Sequence, residues 1–142
     1  MSPNTRMISA DLLAPHPDIH DPLRLWLRVP RRLPVVLVHA IKSGRKYLWF
    51  AGFSGLEALR SGQVKVRVFR QLPDDYLDEA WEEAACADGV QDFGVWYKAL
   101  SDLLPEAQAV RLIGPRGVTK YGAARFAGVS RQTLYNGLRE DR

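Results

Sequence analysis

The sequence predicts an α+β protein in which a small mixed sheet with helices precedes an all-helical half that ends in a helix-turn-helix. Three observations predict this class. Short valine-rich runs without helical period alternate with turn residues up to about residue 72. Beyond Pro73 the apolar residues recur at helical spacing. Residues 118–139 have the pattern of two short helices around a tight turn. We therefore predict an α/β domain over 1–72 and a helical domain over 73–142.

The bulk composition is that of a globular protein without a membrane segment. The 142 residues are 46% apolar and 25% charged, which suffices for a buried core. No apolar run approaches the roughly 18 residues of a membrane span, and the N-terminus lacks an apolar signal core. The single cysteine, Cys86, excludes an internal disulfide and a cysteine metal cluster. We expect a cytoplasmic protein with no membrane partner.

Charge is segregated along the chain, although the net charge is only +4. Residues 1–23 carry a net −2, residues 24–70 a net +10, residues 71–110 a net −9 and residues 111–142 a net +5. Basic blocks are suited to a phosphate backbone. Pairing between the basic and acidic blocks is the alternative, but exposed pairs contribute only about 0–1 kcal/mol each and would not explain the segregation.

The first half contains four runs with strand character. They are Met7–Ser9, the valine-rich Leu33–Ile41, Lys46–Phe50 and the alternating Gln63–Leu72. Ser43 and Gly44 between the second and third runs predict a hairpin turn. The alternation in the last run predicts a valine face and a basic face.

Helix start signals place the helices. Asp21 as N-cap before Pro22 begins a helix that ends near Val29. Ser54 and Glu57 form a capping-box pattern, so a second helix is predicted to begin at Ser54 and to end at Gly62. In the second half, helices are predicted from Asp74 or Asp75 to Cys86, over 92–104 and from Pro105 to about Ile113.

The stretch after Val118 has the local signals of two helices joined by a tight turn. Thr119 and Ser130 are good N-caps, and Gly128 stands where the chain needs a positive φ. Alanines give the first helix a packing face, and leucines at i and i+4 face inward from the second. These are Ala123, Ala124, Ala127, Leu134 and Leu138. The outward residues can all donate hydrogen bonds or charge to nucleic acid. They are Arg131, Gln132, Tyr135, Asn136 and Arg139.

The run AARFAGVSRQTLYNGL resembles the helix-turn-helix of Fis-type bacterial regulators. The resemblance implies that the second helix lies in the major groove of double-stranded DNA. Base edges would be read by Arg131, Gln132, Tyr135 and Asn136, and phosphates would be held by Lys120, Ser130, Thr133 and Arg139. Symmetric half-sites would require a homodimer, since one motif rarely gives sufficient affinity.

The stretch YLWFAGFSGLEALRSGQVKVRVF resembles the N-terminal domain of the ParB partition-protein family, which shares its fold type with sulfiredoxin. In that family a glycine followed by an acidic and two arginine positions implies a nucleotide triphosphate pocket. Gly52 matches, but Phe53, Ser54 and Gly55 follow it. The second pocket motif, a Glu-Asn pair with a following Arg, would fall near Glu83–Asp88, where the Asn and the Arg are missing. We expect no nucleotide cofactor and, at most, a degenerate anion site at Gly52, Ser54 and Gly55.

Other site chemistry is poorly supported by the sequence. His16 and His20 have helical zinc-ligand spacing, but Pro17 lies between them and no third ligand is near. The acidic residues between Asp74 and Glu83 have the spacing of a solvated helix face. No Ser/His/Asp set or phosphate-binding loop is found. We therefore expect no metal site and no catalytic residues.

The leading hypothesis is a ParB-like, sequence-specific DNA-binding protein that regulates transcription or maintains a plasmid or other mobile element. One alternative is a ParB-like nuclease or CTP-dependent enzyme. Another is a non-catalytic interaction protein that blocks a plasmid-transfer partner, with the acidic segment 74–106 as its contact surface.

Overall fold

The computed structural model describes residues 4–134, which divide into two compact units. Within these residues the first unit combines 4–20 with 34–83, and the second combines 21–33 with 84–134. A mixed five-stranded sheet and several helices confirm the predicted α+β class. The units interleave in sequence, whereas the predicted domains 1–72 and 73–142 are contiguous. That division stays a prediction.

The first unit contains the sheet. Its strands are β1 (Asn4–Ser9), β2 (Leu13–Pro15), β3 (Val38–Ser43), β4 (Lys46–Ala51) and β5 (Gln63–Phe69). They lie in the order β1-β5-β3-β4-β2. The pairs β1–β5 and β3–β4 are antiparallel, whereas β5–β3 and β4–β2 are parallel. The predicted hairpin is confirmed as β3–β4, with Gly44 at φ +62° in its turn.

The predicted strand over Leu33–Ile41 is wrong in its first half. Strand β3 begins only at Val38, and the Val35 side chain is 59% exposed. Pro34 lacks the N–H that a sheet ladder requires. The segment instead passes close to two glycines: a Cβ atom on Gly55 would lie 2.3 Å from the Val36 carbonyl oxygen. The valines that suggested a strand therefore include exposed ones, Val35 and Val36.

The helix predicted to begin at Ser54 is a 3-10 helix, Phe53–Ser61, and its N-cap is Gly52. The capping-box prediction is wrong because Gly52 adopts a left-handed φ of +81° and starts the helix one residue earlier. A Cβ atom at Gly52 would lie 2.1 Å from the Leu37 carbonyl oxygen. Both its conformation and its packing therefore require glycine. Gly62 ends this helix, as predicted.

Both faces of the sheet are covered within the first unit. Trp49 and Phe50 point to opposite sides of β4, and each is at least 96% buried. Trp49 packs edge-to-face on Phe53 of the 3-10 helix, with ring centroids 5.8 Å apart. Phe50 packs against Phe69 and against Tyr76, the first residue of helix α2 (Tyr76–Ala85).

The remaining helices are α1 (His20–Arg28), α3 (Phe93–Leu103), α4 (Glu106–Leu112) and α5 (Lys120–Ala127). The helices predicted from Asp74 or Asp75 to Cys86, over 92–104 and from Pro105 to about Ile113 are confirmed. Asp92 caps α3 by accepting from the Gly94 and Val95 amides. Asp21 is not an N-cap, because a 3-10 turn at Pro17–Ile19 leads directly into α1 and places Asp21 in its first turn. No helix among residues 4–134 has both the length and the apolar character needed to cross a membrane.

The two glycine turns give a test of this packing. Gly52→Ala should lower the free energy of unfolding by more than about 3 kcal/mol, since about 1–3 kcal/mol of backbone strain adds to a backbone clash. Gly44→Ala is the matched control, because Gly44 also has a positive φ but a Cβ atom added there would meet nothing within 4 Å. Gly44→Ala should lower the free energy of unfolding by only about 1–2 kcal/mol. Equal losses in urea unfolding would contradict the clash at Gly52.

Candidate functional site

The predicted two-helix segment lies in the second unit, and its first helix begins as expected. Thr119 is the N-cap of α5, and its Oγ1 accepts a hydrogen bond of 3.0 Å from the Gly122 amide. Ala123 and Ala124 are buried, which confirms most of the predicted alanine face. The Gly122 backbone packs tightly, since a Cβ there would lie 2.9 Å from Cγ2 of Ile113. The close approach fixes the start of α5 against the end of α4.

The turn after α5 also has the predicted chemistry. Gly128 has a φ of +72°, and its amide donates to the Ala124 and Arg125 carbonyls. The Val129 amide donates to the Ala124 carbonyl at 3.0 Å, which satisfies the end of the helix. Ser130 Oγ accepts from the Thr133 amide at 3.2 Å, and residues 131–134 are helical. Leu134 is fully buried, as predicted.

The predicted DNA-contacting residues fall into three groups. Arg131 and Gln132 are exposed at the start of the second helical segment. Ser130 and Thr133 lie beside them, and their hydroxyl oxygens are 3.1 Å apart. Lys120, in the first turn of α5, is half-buried. Tyr135, Asn136 and Arg139 lie outside the described residues, as does Leu138.

Two arginines line a cavity together with an exposed tyrosine, and a third arginine lies over the ring of that tyrosine. A cavity of about 420 Å³ opens between the loop after α4 and the first turns of α5, and its lining includes Arg116, Tyr121 and Arg125. The guanidinium of Arg131 lies 5.9 Å from the Tyr121 ring centroid, within cation–π range. Tyr121 is 63% exposed. We call Arg116, Arg125 and Arg131 the arginine cluster.

Sequence reasoning did not single out Arg116, Tyr121 and Arg125 as candidate site residues. The available signal was the net +5 of residues 111–142, but charge along the chain does not tell which side chains share a surface. The sequence pattern around Arg116, GPRG, is typical of a linker. The close packing of Gly122 on Ile113 places that linker beside α5.

Aromatic packing supports α5 from within the second unit. The Trp96 and Phe126 rings are parallel, with an interplanar angle of 2° and centroids 6.4 Å apart. The fully buried Trp96 donates from Nε1 to the Ala85 carbonyl at 2.9 Å. Because Trp96 is held at both its ring face and its N–H group, it fixes the position of the helix that carries Tyr121.

In the first unit, the backbone amides of the turn at Gly52 bind the side-chain carboxylate of Glu83. Glu83 Oε1 accepts from the Gly52 amide at 3.0 Å, and Oε2 accepts from the Phe53 amide at 2.8 Å. Successive amides that point to one side form an anion-binding nest. We call these two groups the Gly52–Phe53 amide pair. Of the predicted anion-site residues, Gly52 takes part directly, while the Gly55 amide donates to the Gly52 carbonyl.

A cleft of about 490 Å³ lies beside the amide pair, and His39, Arg67, Glu79 and Glu83 line it. His39 and Arg67 are direct partners on β3 and β5. Burial and the nearby Arg67 lower the pKa of His39. Burial and the neighbouring Asp75 raise the pKa of Glu79. The valine–basic alternation of Gln63–Phe69 predicted the face that carries Arg67, but the partners of Arg67 on other elements could not be predicted from it.

Metal and thiol chemistry have little support in the part of the chain that is described. Residues 4–134 contain no group of three or more His, Cys, Asp or Glu side chains arranged to hold a metal ion. His16 accepts from the Asp18 amide and packs edge-to-face on Tyr76. Burial raises the pKa of the Cys86 thiol, which disfavours a reactive thiolate.

The lowered pKa of His39 predicts a pH-dependent stability. The unfolded chain takes up a proton at the ordinary pKa of 6.5, before the folded chain does. The free energy of unfolding should therefore fall as pH decreases below about 6.5, until the folded pKa is passed. Urea unfolding of wild type and His39→Gln at about pH 7.5 and 5.5 checks this. Between these two pH values the free energy of unfolding should fall less in the variant than in wild type, because the variant lacks the titrating imidazole. His20→Gln, at an exposed position, is the control. An unchanged pH dependence in His39→Gln would contradict the assignment.

Comparison with known proteins gives distant structural similarities. No protein-family model matches the chain, and no curated protein matches it. Two solved structures of C-terminally truncated chromosome-partitioning protein ParB from Caulobacter crescentus are similar to it. The complex with CTP-gamma-S is 16% identical over 96% of this chain and 77% of that chain, with a TM-score of 0.39. The complex with the centromeric parS site is 18% identical over 94% and 70%, with a TM-score of 0.42. The function must therefore be inferred from the residues of this chain.

Proposed function

We propose that this protein binds double-stranded DNA sequence-specifically through α5 and the helical segment that begins at Arg131. It acts in the cytoplasm as a homodimer, either in transcriptional regulation or in the partition or maintenance of a plasmid or other mobile element. The observation that carries the proposal is the capped glycine turn, which presents Arg131 and Gln132 at the start of the second helical segment. The Arg131 guanidinium there lies over the Tyr121 ring.

The local geometry suits a division between base reading and phosphate binding. In helix-turn-helix proteins the N-terminal residues of the second helix contact base edges. Arg131 and Gln132 occupy that position and pair well with guanine and adenine edges, respectively. Tyr135 and Asn136 are their proposed companions farther along the helix. Phosphates are held by Lys120, Ser130, Thr133 and Arg139, to which the cavity geometry adds Arg116 and Arg125.

Tyr121 is proposed as a positioning residue for this surface. Its ring lies under the Arg131 guanidinium, and a cation–π contact at an exposed site contributes about 0.5–1 kcal/mol. The contact restricts the rotamers of a long side chain before DNA binds. An arginine that is already oriented loses less entropy when it forms a bidentate contact.

The proposed role is binding rather than catalysis. A nuclease or nucleotide hydrolase would need a cleft with charged side chains, such as the one beside Gly52, whose lining includes the Glu83 carboxylate. Both oxygens of Glu83 already accept backbone hydrogen bonds, so this carboxylate is poorly suited to act as a base or a metal ligand. Incubation of the protein with plasmid DNA and Mg²⁺ or Mn²⁺, and separately with CTP, tests the enzymatic alternative. DNA cleavage or nucleotide hydrolysis that co-purifies with the chain would contradict the proposal that the protein binds DNA without acting as an enzyme.

Sequence preference should depend on Arg131 and Gln132. A binding site is first selected from random duplexes with the wild-type protein. Arg131→Ala and Gln132→Ala should each then lose about 1–3 kcal/mol of discrimination between the selected site and a scrambled one, since each removes a bidentate base contact. Competition gel shifts measure the discrimination. Arg45→Ala, on the β3–β4 turn, is a charge-matched control that should keep it. Unchanged preference in both variants would refute the assignment.

The arginine cluster should determine the salt dependence of binding. Each lost phosphate contact should make the slope of log K against log salt shallower by about 0.9. Arg116→Ala and Arg125→Ala are therefore expected to flatten the slope by about one each, without altering sequence preference. Fluorescence anisotropy over a range of salt concentrations measures the slopes. If Arg45→Ala flattens the slope equally, the effect comes from overall charge rather than from this surface.

A further inference from the structure

The Gly52–Phe53 amide pair has the geometry of a phosphate-binding turn, but a side chain of the same protein fills it. We propose that the Glu83 carboxylate permanently replaces the phosphate of a nucleotide at this turn, so that the chain binds no nucleotide there and its DNA binding needs none. The part that concerns DNA rests on the function proposed above. The part that concerns nucleotide stands on the turn alone.

The hydrogen bonds at the amide pair leave neither N–H group for a ligand. Gly52 is left-handed at φ +81°, so its amide and the next one point to the same side. Each donates to a different oxygen of the same carboxylate, at 3.0 and 2.8 Å. Such charge-assisted bonds are about twice as strong as bonds between neutral groups. A phosphate would have to break both of them.

The surroundings of the turn also oppose a phosphate. The lining of the adjacent cleft brings two carboxylates, Glu79 and Glu83, together with one guanidinium, that of Arg67. A displaced Glu83 would stay near the incoming phosphate and repel it. The repulsion would be larger for a triphosphate, because it carries several negative charges.

The arrangement also accounts for the missing arginines. A turn that binds a nucleotide needs cations to neutralise the phosphates, and the positions after Gly52 hold Phe53, Ser54 and Gly55 instead. Phe53 is 1% exposed and packs on Trp49, so its side chain belongs to the core. A single carboxylate balances two amide dipoles without further cations.

The test is a titration of the ¹⁵N-labelled full chain, followed at the Gly52 and Phe53 amide signals. CTP with Mg²⁺, and separately inorganic triphosphate, should leave both wild-type signals unshifted at millimolar concentrations. Glu83→Gln should shift both signals without any ligand, because it removes the carboxylate. Glu82→Gln, at the exposed adjacent position, is the control and should leave them in place. Saturable shifts in wild type on adding CTP or triphosphate, or unshifted signals in Glu83→Gln, would overturn the proposal. If Glu83→Gln does not fold, the wild-type titration decides.

A second measurement separates this inference from the proposed function. Gel shifts of wild type on its selected DNA site, with and without CTP and Mg²⁺, should give affinities that agree within about twofold. A change of fivefold or more on adding CTP would overturn the inference while DNA binding stands. If no DNA is bound in either arm, the proposed function fails, and the amide titration still decides whether the turn takes a nucleotide.

Discussion

The first unit depends on the left-handed turn at Gly52 and on the carboxylate that Glu83 supplies to it. The turn ends β4 and starts the 3-10 helix that places Phe53 on Trp49. Its two amides would be costly to bury without an acceptor. Glu83 satisfies both of them from helix α2. The same helix begins at Tyr76, which packs on Phe50 at the opposite face of β4. One ion–dipole contact therefore joins the turn, the sheet and α2.

The second unit carries exposed polar side chains on a rigid backbone. Thr119 and Ser130 cap successive helical segments. Gly128 reverses the chain between them, because glycine adopts a positive φ with little steric penalty. Phe126, which stacks on the buried Trp96, and the buried Leu134 lie on either side of that turn in the sequence. The exposed Arg131, Gln132 and Tyr121 are thus carried by short elements whose ends are capped wherever the structure describes them. The proposed DNA-binding surface would need this rigidity, because contacts to base edges tolerate little displacement.

The two units differ in how much of their chemistry could be predicted from sequence. The turn after α5 was predictable because caps, glycine and leucine spacing act within a few residues of one another. The turn at Gly52 was predicted with the wrong cap, since Ser54 and Glu57 fit a capping box and the actual acceptor lies about thirty residues away. The strand prediction over Leu33–Ile41 was partly wrong for a similar reason. Its valines favour a strand, but Pro34 and the close approach of the segment to Gly52 and Gly55 keep Leu33–Leu37 out of the sheet.

The sequence by itself determined the α+β class, the β3–β4 hairpin, the alternation of β5, the helices of the second half and the capped turn at Gly128. These features depend on periodicity, on glycine and on caps, which are local properties of the backbone. Only the tertiary structure decided that Glu83 fills the Gly52–Phe53 amide pair, that His39 and Arg67 share a cleft, and that Arg116 and Arg125 line one cavity with Tyr121. Hydrogen bonds and charge contacts between residues distant in sequence depend on distances in space, which periodicity and composition do not encode.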